Sequence, residues 1–377
     1  MATEATIDIE ALLQPFSDEK PAGEDIREDY SPNSIYYQIK DARAAARTAE
    51  RQIIMSDDPE AMQSMVPEWN TVLQLAPKIL TENSKDLEVA AWYIEGLLRS
   101  HGFAGLRDGL KLAKALVEQF WDGLYPMPDE DGLETRVAPL TGLNGDDGDG
   151  TLIVPITQVP LTEGYTYLPF AAWHYEQAYE VETITDPEKK EARIASGAVP
   201  MKHIDQAVSE TPTSFFVTLI ADAEEASTAF TELSNLLDEK CGHDAPPTSN
   251  IRNTLKRVLE IVGFLTKDID LSPADAAEEQ AEESTDAAGA PAAGQVAKGK
   301  GVSIDSVNIS NRDEAFRALL KVSEFFRSTE PHSPISYNLE QAVKWGRMSL
   351  PELLGELIPD SSARDEYFRL TGIPRPE

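Results

Sequence analysis

The stretch from Leu271 to Lys300, LSPADAAEEQAEESTDAAGAPAAGQVAKGK, most restricts how this 377-residue chain can fold. It is rich in Ala, Glu and Gly and almost devoid of large apolar side chains. Such a segment cannot bury enough surface to offset the entropy lost on ordering, so its composition predicts a flexible linker. A tether of this kind has an rms span of about 30 Å and a stretched limit on the order of 100 Å. The chain is therefore expected to fold as separate parts on either side of it.

On both sides the apolar residues recur at helical spacing. From Ser31 to about Ile54, residues Ile35, Ile39, Ala42, Ala46, Ala49 and Ile53 mark one face of a long helix. A second helix carries Trp69, Val72, Leu73, Ala76 and Leu80, with Pro77 expected to kink it. A third, with Leu87, Ala90, Ala91, Ile94, Leu97 and Leu98, stops near Gly102, and a fourth from Phe103 to Trp121 groups Leu106, Leu110, Ala113, Val117 and Phe120. Short connections favour antiparallel neighbours. The segment from Gly142 to Pro169 is dense in Gly, Asp and Pro and predicts a turn-rich connector with one or two short extended pieces. Helices are expected again over 171–182, 200–209, 212–240 and 249–267, the last two forming a hairpin around CGHDAPPTSN.

After the linker, Phe316, Leu319, Leu320, Ser323 and Phe326 define one helix face. Ile335, Leu339, Ala342, Val343 and Gly346 define a second, and Leu350, Leu353, Leu354, Leu357 and Ile358 a third. A unit this small buries only about 60% of its unfolded surface, so its many large apolar positions suit it to self-association. The expected class is all-α: a helical N-terminal domain over 1–170, a middle helical region over 171–270, a flexible acidic linker over 271–302 and a small helical C-terminal oligomerisation domain over 303–377.

Charge narrows the partners. Lys and Arg total 33 against 66 Asp and Glu, a formal charge of -33 that repels phosphate backbones and anionic lipid alike. Nucleic acid and membrane surfaces are therefore not expected as partners, and with no apolar run of roughly 18 residues membrane insertion is not expected either. The opening MATEATIDIEALLQPF carries acids where a signal peptide needs a basic start, and one cysteine, Cys241, cannot form an internal disulfide. Both features lead to a cytoplasmic expectation.

Against this acidic background Lys40, Arg43, Arg47 and Arg51 form a basic stripe at helical spacing. One reading is a solvated face paired with Asp41, Glu50 or other nearby acids. The other is a docking face for an acidic partner. Trp92 points away from the apolar face of its own helix, so it is expected to be covered by another layer or used in a contact.

Known catalytic and ligand motifs are not matched. None of the five histidines stands in a HExxH pair, and Cys241 with His243 supplies two zinc ligands where a structural site takes four. Ser17 to Lys20 has SxxK spacing without the companion elements of penicillin-recognising enzymes. Aligning Gly150 with the obligatory glycine of a calcium loop places Gly145 at the first carboxylate and Ile156 at the bidentate glutamate. No cofactor or metal is expected. The neighbours His332 and Ser333 invite a nucleophile-and-base reading, but adjacent residues seldom meet with that geometry. Pro331 instead ends one helix, Ser333 is placed to cap the next, and Pro334 sits where a missing N–H costs nothing.

Three strings carry a family resemblance: residues 21–52, PAGEDIREDYSPNSIYYQIKDARAAARTAERQ; residues 69–126, from WNTVLQLAPKIL to FWDGLYP; and residues 142–162, GLNGDDGDGTLIVPITQVPLT. They resemble the ImpA N-terminal domain that defines the TssA family of the type VI secretion system. The C-terminal EFFRSTEPHSPISYNLEQAVKWGRMSLPELLGELI followed by FRLTGI resembles the ending of the family's shorter members.

The resemblance implies a non-enzymatic assembly component that coordinates baseplate docking and tail tube and sheath polymerisation through a ring-shaped oligomer. It implies baseplate, membrane-complex, tube and sheath proteins as partners. Within it, the C-terminal ring interface is expected to use Phe325, Phe326, Trp345, Arg347, Leu350 and Leu354, and N-terminal docking Arg43, Arg47, Arg51 and Trp92. Two other readings compete: a hydrolase built on His332 and Ser333, and a monomeric helical adaptor or chaperone.

Overall fold

The computed structural model describes residues 1–56, 65–130, 132–167 and 169–271, then 319, 320, 322, 323, 327 and 335–347. The chain divides into two units, Met1–Ala287 and Ala288–Glu377. Among the described residues regular structure is helical, and β pairing is confined to isolated bridges such as Gly23 with Ser84 and Pro160 with Ala171.

In the first unit a short α1 (Ile9–Leu12) and a 3-10 turn precede α2 (Ile35–Ser56), α3 (Trp69–Glu82) and α4 (Leu87–Phe120). There follow α5 (Glu134–Asn144), α6 (Ile153–Gln158), α7 (Ala172–Thr183), α8 (Pro187–Ala195), α9 (Met201–Glu210), α10 (Thr213–Cys241) and α11 (Ser249–Leu265). The apolar stripe read on α2 lies against the core along its length, and α3 continues through Pro77.

The centre of this unit is α4. Asp86 starts it by accepting the N–H groups of Glu88 and Val89 at 2.9 and 3.0 Å, and the Arg27 guanidinium holds that carboxylate at 2.6 Å. At Gly102 the backbone takes φ 55° and ψ −138°, and the chain reverses into two antiparallel arms, 87–101 and 103–120. Only glycine occupies such a conformation at low cost. The arms then approach so closely that a Cβ on Gly105 would sit 2.1 Å from the Leu97 carbonyl oxygen, and one on Gly109 2.8 Å from Ile94 Cγ1. Because neighbours cover α4 on all sides, Val89, Tyr93, Leu112 and Leu116 are buried along with the stripe positions.

Long-range polar contacts fasten the N-terminal segment to this hairpin. Arg107 donates to the carbonyl oxygens of Thr3 and Glu4 and to Asp222 on α10, while Asp108 accepts from the Thr6 N–H and hydroxyl. Lys85, fully buried, donates to the carbonyls of Leu12 and Leu80 at 2.7 and 2.6 Å, and burial lowers its pKa to about 8. Helix α10 packs along α4, and α10 with α11 forms the expected hairpin. One hydrophobic core consequently runs past residue 170 from Leu12 to Val262.

The connector after Gly142 is more regular than expected, because besides the extended piece that bridges Pro160 to Ala171 it contains the helix α6. Leu152 and Ile156, one helical turn apart, are both fully buried, whereas a half-buried strand would alternate. The helix α8 escaped periodicity for another reason. It buries no residue and is held by its ends, with Asp186 accepting from Glu188 and Pro187 at the first position. In the second unit α12 (Ile335–Arg347) agrees with the expected second stripe, and Val343 is buried. The linker over 272–300, the corner at His332 and Ser333, and the leucine-rich stretch from Leu350 lie outside the described residues.

Two outcomes are expected. Replacing Gly105 with Ala drives a methyl into the Leu97 carbonyl and separates the arms, so the loss exceeds the ~1–3 kcal/mol typical of overpacking. Denaturant titration with helix content as readout checks it, and a variant of wild-type stability would contradict the hairpin packing. The second concerns His174, whose Nδ1 accepts the Ala171 N–H at 2.9 Å and whose pKa burial lowers to about 4. A folded pKa below the unfolded value of 6.5 means the neutral ring's contribution is complete above 6.5 and fades as pH falls toward 4. Between pH 7 and 4.5 that loss amounts to about 2 kcal/mol, and a His174→Gln variant should show a correspondingly shallower acid slope.

Candidate functional site

The first unit contains a cavity of about 430 Å³ bounded by the C-terminal half of α2, the segment entering α3, the end of the first arm of α4, and α6. Its apolar wall includes Ile53, Met65, Leu98, Val154 and Val159, and its polar wall includes Arg47, Glu50, Arg51 and Arg99. Three of the basic-stripe residues fare differently around it.

Arg43 turns inward. Its Nε and Nη2 donate to the two carboxylate oxygens of Glu95 at 2.6 and 2.9 Å, a bidentate pair in which Glu95 is 0% exposed. The Thr151 hydroxyl donates to the same carboxylate, so the pair joins α2, α4 and the turn before α6. The Arg43 guanidinium also lies 5.6 Å from the Trp92 ring, which stacks on Tyr36 at 5.9 Å. Trp92 is 5% exposed, so α2 covers the side it turns away from its own stripe. Arg43 and Trp92 therefore pack against each other over the buried Glu95, with the Arg43 side chain 23% exposed and Trp92 left little surface of its own.

Arg99 is also committed. It makes a two-pronged ion pair with Glu50 and donates to the Glu95 carbonyl oxygen at 2.9 Å. Its guanidinium lies 4.3 Å from the Trp69 ring centre, and the Trp69 indole N–H donates to Glu50 at 2.6 Å. Glu95 and Arg99 were not singled out from sequence. The available signal was a lone acid inside the otherwise apolar AAWYIEGLL, where a buried carboxylate demands a cation.

Arg47 and Arg51 remain, one helical turn apart on α2. Arg51 is exposed and donates to its neighbour Thr48. Arg47 is half-buried and makes no hydrogen bond or ion pair with a described residue. Burial lowers its pKa from the ordinary value; Glu95 opposes that shift, while Arg43, Arg51 and Arg99 add to it. The cavity thus holds a cation whose near neighbours are mostly cations.

This region falls inside the sequence span shared with known proteins. The model of the ImpA N-terminal family, described for the type VI secretion system, matches residues 13–145. The type VI secretion system component TssA1 of Pseudomonas aeruginosa is 27% identical over 366 residues, 96% of this chain and 98% of that protein. Over nearly its whole length the chain is thus similar to a TssA component of the type VI secretion system. A solved N-terminal domain, which includes the conserved ImpA_N region of the TssA component from Burkholderia cenocepacia, shares the fold. It aligns with a TM-score of 0.58 at 24% identity, covering 72% of this chain and 99% of that one.

Two of the expected ring residues, Trp345 and Arg347, lie on α12. Trp345 is half-buried, and its indole N–H is covered without an acceptor among the described residues. Phe325, Phe326, Leu350 and Leu354 lie outside the described residues. Among the described residues no group of three or more His, Cys, Asp and Glu is placed to hold a metal ion. Cys241 is buried while His243 points to solvent. No described helix is long and apolar enough to cross a membrane.

The Arg43–Glu95 pair makes a prediction with an internal control. Arg43→Ala leaves a buried carboxylate without its cation and should cost about 3–5 kcal/mol, whereas the Arg43→Ala, Glu95→Ala double variant should recover part of that loss. Additive losses in a denaturation cycle would mean the two groups are not coupled.

Proposed function

We propose that this chain is a non-enzymatic assembly component of the type VI secretion system, acting in the cytoplasm at the secretion apparatus. The observation that carries this reading is the alignment with TssA1, which spans nearly the whole of both proteins and so includes both units. A formal charge of -33 agrees with protein partners in preference to nucleic acid or lipid.

On this reading the C-terminal residues 303–377 build a ring, and each protomer displays an acidic helical N-terminal unit through the Ala/Glu/Gly-rich segment. Phe325, Phe326, Trp345, Arg347, Leu350 and Leu354 pack or support the ring. The indole N–H of Trp345, covered without an acceptor among the described residues, is in keeping with a unit that repacks on association, since a covered donor left without an acceptor costs about 1–3 kcal/mol. Repeated display strengthens contacts that are weak singly, because tethering raises effective concentration toward the millimolar range. The partners are baseplate, membrane-complex, tube and sheath proteins, and the work is to coordinate baseplate docking with tail polymerisation. On the N-terminal unit the docking role passes to Arg47 and Arg51, the stripe residues that line a cavity.

Light scattering on the full chain tests the ring. The expected mass is a fixed multiple of the chain mass, reduced by Leu350→Asp with helix content retained. A mass equal to one chain at every concentration would replace the ring with the monomeric adaptor.

A further inference from the structure

We propose that the cavity between α2, α3, α4 and α6 is a receptor for an acidic amphipathic peptide segment of a partner protein, its apolar side chains on the Met65, Val154 and Val159 wall and its carboxylate on Arg47 and Arg51. This deepens the docking role assigned above to those two arginines and rests on that reading.

Three observations converge on the occupant. The first is size. A cavity of about 430 Å³ is in the range of small-ligand sites, wide enough for two or three side chains but not for a folded domain. The second is the division of labour among the arginines. Four of them, Arg43, Arg47, Arg51 and Arg99, lie close enough to influence one another, yet two acids consume two cations: Glu95 takes Arg43 and Glu50 takes Arg99. Among the described residues Arg47 has no acid bonded to it, and Arg51 donates to the Thr48 hydroxyl alone. Guanidinium groups one turn apart on α2 suit the paired oxygens of a carboxylate.

The third observation is contrast. In a chain of charge -33 a concave site with a surplus of positive charge is the exception, so it draws anionic groups that the remaining surface repels. The apolar wall separates the site from a simple anion trap. Val154 is 45% exposed on α6 beside the cavity, and covering it rewards a ligand that brings an aliphatic side chain with its carboxylate. A phosphate-bearing polymer would satisfy the arginines and leave that wall wet.

The test uses the full chain and a fluorescent, acetylated dodecapeptide in which Leu and Ile alternate with Asp and Glu. Controls replace its acids with Lys, or its Leu and Ile with Ser, and a single-stranded oligonucleotide supplies the phosphate case. Fluorescence anisotropy should show saturable binding of the acidic apolar peptide alone. Arg47→Glu should weaken it at least tenfold and Val154→Asp severalfold, with thermal melts showing that both variants fold. Arg47→Gln covers the case in which charge reversal unfolds the chain.

No saturable binding up to about 1 mM overturns the proposal, as does equal binding of the Lys peptide or the oligonucleotide, or indifference to Arg47. Asp57, Asp58 and Glu60 stand in the chain between Ile53 and Met65, outside the described residues. Binding seen only after they are changed to Asn, Asn and Gln would show that the native chain fills its own site and would also overturn the proposal. Oligomer mass is read separately, so a chain that forms rings yet ignores the peptide fails here and leaves the assembly role standing.

Discussion

The closeness of the two arms of α4 is the constraint on which the first unit depends. With Gly105 against the Leu97 carbonyl and Gly109 against Ile94, the hairpin has room for backbone and little else. Two consequences follow from so narrow a centre. The outward faces of both arms become the surface on which α2, α3 and α10 pack, and polar groups within the arms are carried into the interior with them. Glu95 and Arg99 meet α2 from the first arm, and Arg107 and Asp108 meet the N-terminal segment and α10 from the second. Polar groups so deep must be paired, and each finds its partner in another element.

That pairing explains why one arginine stripe has several fates. Exposed pairs such as Lys20 with Glu24 are screened by solvent, contribute little and select nothing. The Arg43–Glu95 pair differs because Glu95 cannot recover its hydration if the cation leaves. Once Arg43 is drawn in and Arg99 is committed to Glu50, the charge left at the cavity is that of Arg47 and Arg51. The same geometry that stabilises the packing of α2 therefore also makes the site cationic, which ties the fold of this region to the partner it can accept.

Much of the helical architecture was legible because large apolar residues recur at a period near 3.6, and burial enforces that period. The reversal near Gly102, the hairpin of α10 and α11, and the stripe of α12 could all be read this way. Helices without such a face were not. The helix α8 buries nothing, and α6 is so short that two buried residues, Leu152 and Ile156, carry its whole signal among glycines and prolines. The basic stripe was legible as spacing, but its division was not. Arg43 was expected to find acids such as Asp41 or Glu50 on its own helix, yet its partner Glu95 lies 52 residues away in the chain.

The sequence by itself determined the helical class, the resemblance to the ImpA N-terminal domain, the acidic character and the break in composition after residue 271, since each is a property of local composition or of a linear pattern. Tertiary structure alone decided that Arg43 and Trp92 pack against each other, that Glu95 rather than a helical neighbour holds Arg43, and that Arg47 and Arg51 border a cavity. Those outcomes depend on which helices face one another. Facing is set by how closely the α4 arms can pack around Gly102, Gly105 and Gly109, a steric fact that no periodicity along the chain encodes.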